Sequence, residues 1–165
     1  MEIDGISSPF CFEGMIRQAI IQLKYHHFKA LAPSLAQLLV DYLKSKPLSA
    51  DVIVPVPLHR RRLKRRGYNQ SDLLARELGK GMNIPVVDDC LRRLRDTPSQ
   101  TKSAAERRHA NMQEAFACES GRLWQKHVIL VDDVSTTGAT LNSCAIALKE
   151  SGVASVWGLT LARET

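Results

Sequence analysis

A chain of 165 residues has the length of one domain and can bury a substantial core, so it needs no disulfide or metal staple to fold. Its four cysteines, Cys11, Cys90, Cys118 and Cys144, are scattered without a C-x-x-C pair; they argue against a zinc site or disulfide framework and read as small buried apolar residues in a reducing compartment. The net charge of +6 is unevenly spread, the first residues lack a signal-peptide pattern, and no apolar run reaches membrane-spanning length, which predicts a cytoplasmic protein with no membrane partner.

In chain order, residues 13–27 place Met15, Ile16, Ala19, Ile20 and Leu23 at helical spacing, and residues 31–43 repeat the pattern through Leu31, Leu35, Leu38, Leu39 and Tyr42. Two amphipathic helices therefore precede the first central strand, and Pro47 closes the second. That strand is the apolar run Val52-Ile53-Val54. It leads into residues 59–66, where six of eight residues are basic. A third helix is expected over 71–78, capped by Asn69 or Ser71 and stopped by the glycines at 79 and 81. Residues 90–94 and 114–118 are short strand candidates flanking a polar stretch, 95–113. Val128-Ile129-Leu130-Val131 has no polar alternation, as expected of a parallel strand covered by helices on both faces, and it ends in Asp132 and Asp133. A helix over 137–151 and a buried strand over 155–162 complete an α/β pattern, with no repeat or linker to suggest a second domain.

The segment after the two acids has the composition of an anion cradle. Ser135, Thr136, Thr137 and Thr140 offer hydroxyls, Gly138 lets the backbone approach closely, and Ala139 opens a helix whose first N–H groups lack intrahelical partners. A phosphate would satisfy them, with roughly 0.3–1 kcal/mol from the helix dipole. Adjacent carboxylates would repel that phosphate, so Asp132 and Asp133 need another partner: ribose hydroxyls, or Mg²⁺ reached directly or through water. Both lie at the carboxyl end of their strand, where open α/β sheets bind ligands. The basic tract follows another strand and faces the same crevice. About half of it reads as solvated surface; nucleic-acid phosphates are a further partner for it, although Tyr68 is the only aromatic nearby in sequence.

The stretch VILVDDVSTTGAT, residues 128–140, resembles the phosphoribosyl pyrophosphate (PRPP) motif of type I phosphoribosyltransferases. Two further stretches are similar to the ComF family, the competence-protein-F-like or GntX-like phosphoribosyltransferases. One is Val54-Pro55-Val56-Pro57-Leu58-His59 running into Arg66-Gly67-Tyr68-Asn69-Gln70. The other is Thr97-Pro98-Ser99-Gln100-Thr101 running into Arg107-Arg108-His109-Ala110-Asn111-Met112 and Ala115-Phe116. The likeness covers about residues 9–162. It implies a three-layer α/β sandwich with a mostly parallel central sheet in a single domain over 1–165, with 10–46 as an N-terminal helical hood and 95–113 as a flexible loop closing over the reactants. A surface helix over 103–111 is compatible with that loop.

The resemblance also implies roles. Asp132 and Asp133 would hold the ribose hydroxyls as catalytic acids, and Ser135, Thr136, Thr137, Gly138, Ala139 and Thr140 would bind the 5-phosphate. Arg60, Lys64, Arg65 and Arg66 would bind pyrophosphate, with Gln100, Lys102 and Arg107 of the loop closing over it. Mg²⁺ would be held chiefly through PRPP rather than by direct protein ligands, with Asp132 and Asp133 reaching it through water. The reaction would be displacement at ribose C1 by a nitrogen acceptor, with release of pyrophosphate. Relatives usually carry a cysteine-rich zinc-binding segment upstream; either this form lacks it or the chain has been cut. Thr136 stands where purine-salvage members usually have an aspartate, which argues against hypoxanthine or guanine and leaves the acceptor open. His26, His27, His59 and His109 are general-base candidates by side-chain type only. Two other readings follow: a PRPP or nucleotide sensor without turnover, and a competence accessory binding single-stranded DNA or a helicase partner. A homodimer is common in the wider fold.

Overall fold

The computed structural model describes residues 1–25, 27–95, 115–119 and 121–165. Its elements are β1 (Gly5–Ser7), β2 (Phe10–Cys11), α1 (Gly14–Tyr25), a 3₁₀ turn at Lys29–Leu31, α2 (Ala32–Ser45), β3 (Val52–Pro55), α3 (Arg60–Arg66), α4 (Gln70–Met82), β4 (Leu91–Arg93), β5 (Phe116–Cys118), a second 3₁₀ turn at Gly121–Leu123, β6 (His127–Ser135), α5 (Ala139–Glu150) and β7 (Ser155–Arg163). Strands β1, β7, β6 and β3 pair in that order, all parallel, and β2 also pairs in parallel with β7. Ile53 adds an isolated parallel bridge to Val86.

The unbroken apolar runs of these strands follow from burial on both faces. Alternate residues of β3 and β6 enter different cores. Val52, Val54, Val128 and Leu130 pack with Leu141, Cys144 and Leu148 of α5. Ile53, Ile129 and Val131 pack with Leu23, Leu39 and Leu78 from α1, α2 and α4. The molecule is thus an α/β sandwich of three layers, as the resemblance implies, with a small antiparallel pair, β4–β5, outside the main sheet. Among the described residues no helix is long and apolar enough to cross a membrane.

Several local expectations are corrected. The third helix runs on through both glycines to Met82 and stops at Asn83, whose φ of 55° is left-handed. The glycines serve close packing instead: a Cβ at Gly79 would lie 2.7 Å from Val86 Cγ2 and 2.8 Å from the Ile84 carbonyl, and one at Gly81 would lie 2.7 Å from Val40 Cγ2. Strands β1 and β2 were not expected, since three- and two-residue strands carry no periodic signal. Cys90 and Cys144 are buried, but Cys118 is only half-buried and Cys11 is exposed; none of the four is in a disulfide. Strand β6 continues past the two acids to Ser135, so Asp132 and Asp133 stand within the sheet ladder, with Asp132 opposite Thr160 of β7.

Candidate functional site

Because successive side chains on a strand leave opposite faces, the two acids of β6 meet different neighbours. Asp133 turns toward α1. Its Oδ2 lies 3.2 Å from Lys24 Nζ, the carboxylate being 4% exposed and the lysine side chain 24% exposed. Its Oδ1 accepts the Val134 N–H at 2.7 Å. Asp132 Oδ1 accepts the Ser71 hydroxyl and the Asp133 N–H, both at 2.9 Å.

Charge follows this geometry. Burial, and next the adjacent Asp133, push the Asp132 carboxyl up to about 7, against the opposing pull of Ser71 and Lys24. Burial alone would lower the Lys24 pKa, but Asp133 and then Asp132 outweigh it, and the ammonium is held more firmly than usual. The buried Cys144 thiol is pushed well up by desolvation and then by Asp132, which keeps it protonated and inert.

Neither Lys24 nor Ser71 was singled out for the site from sequence. Lys24 lies on the partly exposed side of α1, where helical spacing says nothing about a distant partner. Ser71 reads as a cap, and the cap proves to be its neighbour: Asn69 Oδ1 accepts the Ser71 N–H at 3.0 Å, while Asn69 Nδ2 donates to the Val56 carbonyl at 3.0 Å. That pair of bonds fixes the entry of α4 against the chain leaving β3 and aims Ser71 at the acid strand.

The segment after β6 turns on Gly138, whose φ of 82° is left-handed and which occupies the N-cap of α5 without a side-chain cap hydrogen bond. A Cβ there would lie 2.8 Å from Ile6 Cδ1, so β1 buttresses the turn from below. Thr137 Oγ1 accepts the Ala139 N–H at 3.3 Å. Thr136 and Thr137 are exposed, Ala139 and Thr140 half-buried, and Ser135 is buried in the strand opposite Arg163. The expected phosphate residues therefore divide: five surround the turn, and Ser135 belongs to the ladder.

The basic tract forms the short helix α3. His59 caps it, with Nδ1 accepting the Arg61 N–H at 3.2 Å, and Gly67, with φ 84°, ends it. Arg60, Arg61, Lys64 and Arg65 are exposed, while Arg62 and Arg66 are half-buried. Arg66 alone of the expected pyrophosphate residues is tied toward the acids: its Nη1 donates to Gln70 Oε1, one residue before Ser71, and its guanidinium stacks 5.5 Å above the Tyr25 ring. Tyr68 is buried, donates its hydroxyl to the Leu23 carbonyl, and carries Lys29 5.1 Å over its ring. The fold thus brings Tyr25 beside the tract, a second aromatic that sequence distance concealed.

Gln100, Lys102, Arg107 and His109 lie outside the described residues, as does His26. What flanks the expected loop is described: β4 and β5 pair from Leu91↔Cys118 to Arg93↔Phe116, and the Leu94 N–H reaches the Ala115 carbonyl at 2.7 Å. Residues 94 and 115 are therefore held together. Among the described residues no group of three or more His, Cys, Asp or Glu side chains can hold a metal. The donor set is two carboxylates, one already paired with Lys24, so Mg²⁺ fits here only if a bound ligand supplies most of its oxygens, with Asp132 as the available protein contact.

Comparison with known proteins identifies the family of the chain. The family described as "Phosphoribosyl transferase domain" matches residues 22–164. The chain is 40% identical over 116 residues to "Competence protein F" of Haemophilus influenzae, covering 68% of this chain and 51% of that protein. It is 36% identical over 142 residues to "DNA utilization protein YhgH" of Escherichia coli K12, covering 83% and 62% respectively. To "Competence protein ComFC" of Bacillus subtilis it is 29% identical over 158 residues, covering 94% and 63%. The chain thus spans little more than half the length of these relatives. Among solved structures, an allosteric regulatory enzyme of purine biosynthesis aligns with a TM-score of 0.55 at 20% identity over 80% of this chain and 25% of the other. Adenine phosphoribosyltransferase of Leishmania tarentolae aligns with 0.51 at 17% identity, over 81% and 70%. At such identities these two speak for the fold alone.

Proposed function

The chain belongs to the phosphoribosyltransferase domain family, in its ComF-like branch, and from that premise we propose that it binds PRPP with Mg²⁺ and transfers the phosphoribosyl group to a nitrogen acceptor, releasing pyrophosphate. One observation carries this reading: the paired acids of β6 run within a few residues into a left-handed Gly138 at the N-cap of α5, which has no side-chain cap. In this reading the turn takes the 5-phosphate on backbone N–H groups and the Thr136, Thr137 and Thr140 hydroxyls, and Asp132 and Asp133 take the ribose hydroxyls. Ser135 orients the turn from the ladder. Arg66, with Arg60, Lys64 and Arg65, and Gln100, Lys102 and Arg107 of the 95–113 segment, compensate the departing pyrophosphate. Residues 10–46 supply the hood, α1 being the helix that reaches the acids.

Displacement at ribose C1 passes through an oxocarbenium-like state, so the protein's share is positioning and charge compensation rather than covalent work. Mg²⁺, bound through the donor, would neutralise the leaving group. Calorimetry tests the reading: PRPP with Mg²⁺ should bind the chain, and Asp132→Asn with Asp133→Asn should abolish binding. Pyrophosphate release over a panel of nucleobases, amines and ammonia then tests turnover and identifies the acceptor; binding without release would leave a sensor.

A second reading rests on the exposed Arg60, Arg61, Lys64 and Arg65 of α3, and on relatives named for DNA utilization. Such a cluster attracts single-stranded DNA through its phosphates. An oligonucleotide affinity that falls steeply with salt, and falls again when these four are neutralised, would support it; an unchanged affinity would remove it.

A further inference from the structure

Two adjacent carboxylates are a poor host for a donor that carries its own negative charge, and a cation must offset them. The sequence points to Mg²⁺ for that task. The fold supplies a cation of its own. Lys24 Nζ stands 3.2 Å from Asp133 Oδ2, and its pull on Asp132 is the next largest attraction after that on Asp133.

This lysine is not a drifting surface side chain. Leu23, immediately before it, is buried, and the Leu23 carbonyl accepts the Tyr68 hydroxyl. Tyr25, immediately after it, is covered by the Arg66 guanidinium, which is bonded in turn to Gln70. A continuous circuit therefore runs Asp132–Ser71–Gln70–Arg66–Tyr25–Lys24–Asp133 around the acid end of β6, built of covalent neighbours and side-chain contacts. Within it, Asp133 Oδ2 is shielded from solvent and has the Lys24 ion pair but no well-aligned hydrogen bond. An ammonium has three N–H donors, and the pairing with Asp133 occupies one side of it.

We infer that Lys24 is a donor-binding residue: it holds Asp133 in place for a ribose hydroxyl and turns its remaining N–H groups to an anionic oxygen of the same phosphoribosyl donor, as a resident cation that lowers the site's demand for Mg²⁺. The inference rests on the donor reading above and adds a residue from α1 to it. It also gives the hood helix a part in holding the donor.

The test is calorimetry of PRPP binding to the full chain across a series of Mg²⁺ concentrations, for the wild type, Lys24→Met and Lys24→Arg. Loss of one charge-assisted contact should weaken binding about tenfold or more in Lys24→Met and move the Mg²⁺ midpoint upward, with Lys24→Arg recovering most of both. Purely structural damage would lower affinity without moving the midpoint. Since Lys24→Met strands a buried carboxylate and can compromise folding, acetylation of lysines in the wild-type protein gives an independent reading by peptide mass spectrometry. PRPP with Mg²⁺ should protect Lys24 and leave the exposed Lys44 and Lys126 as they were. Binding by Lys24→Met within about twofold of wild type at every Mg²⁺ level, an unmoved midpoint, or acetylation of Lys24 undiminished by bound PRPP would each overturn the inference while leaving the donor reading intact. If the wild type binds no PRPP at any Mg²⁺ level, the donor reading fails and this inference with it.

Discussion

The Ser71 hydroxyl donates to Asp132 Oδ1 across 2.9 Å, and this bond joins the first turn of α4 to the acid strand of the sheet. Ser71→Ala removes an interaction that favours the charged carboxylate, so the Asp132 pKa should rise further. A single hydrogen bond of this kind is worth about 0.5–1.5 kcal/mol, so the unfolding free energy should fall by that amount, read as a lower urea midpoint with no change in slope. Donor affinity should fall as well, because the acid loses its anchor.

Asp132 also sets a pH dependence. Its carboxyl titrates near 3.8 when unperturbed and about 7 in the fold, with Asp133, Lys24 and Ser71 as the polar groups around it. Between these values the folded chain binds more protons than the unfolded one, so this contribution to stability is complete below the unfolded pKa and is lost as pH rises through about 7. Melting temperatures of the wild type should therefore decline across that window. Asp132→Asn should flatten the profile and be the more stable protein at pH 8, by on the order of 1–3 kcal/mol. Parallel profiles for the two proteins would contradict this assignment.

The glycines of α4 offer a paired test. Alanine is the better helix former by about 1 kcal/mol, so substitution at either position would stabilise an isolated helix. In the fold both should destabilise, and by different routes. A Cβ at Gly79 meets the Ile84 carbonyl at 2.8 Å as well as Val86, and backbone cannot step aside. The atoms nearest a Cβ at Gly81 are instead side-chain atoms of Val40, the first at 2.7 Å. Gly81→Ala should accordingly be rescued by Val40→Ala to a large extent, whereas Gly79→Ala with Val86→Ala should stay destabilised. Chemical denaturation of the four variants decides it.

At Gly138 two costs combine. A left-handed backbone costs a non-glycine residue about 1–2 kcal/mol, and the new methyl would press on Ile6. Gly138→Ala should weaken PRPP binding and lower stability, and Ile6→Ala in the same chain should relieve the contact but not the backbone strain. Calorimetry and thermal melts on the single and double variants separate the two.

The long strands and helices were legible because each carries a period or an unbroken apolar run: β3, β6, β7, α1, α2 and α5 all fall where the sequence places them, give or take a few residues. The acid pair and the Gly138 turn were legible for a different reason, since their residues are contiguous. What escaped was everything that depends on chain segments meeting. Lys24 and Asp133 are 109 positions apart, and nothing in either neighbourhood names the other. Strands β1 and β2 exist because β7 offers an edge to pair with, not because Gly5–Ser7 or Phe10–Cys11 favour extension. The glycines of α4 misled in the same way: a stop signal and a close-packing site look alike in one dimension, and Val40 and Val86 distinguish them.

The extension of β6 beyond its acids has a thermodynamic consequence for any ligand. Thr160, Ala162 and Arg163 of β7 lie opposite Asp132, Val134 and Ser135, so the backbone that presents the carboxylates is clamped before anything arrives. A ligand meeting such a surface loses little free energy to ordering it, and the conformational entropy of these residues has already been given up during folding. If these acids hold a ribose, as proposed, selectivity for the ring can draw on mismatch, because the backbone that presents them is already fixed.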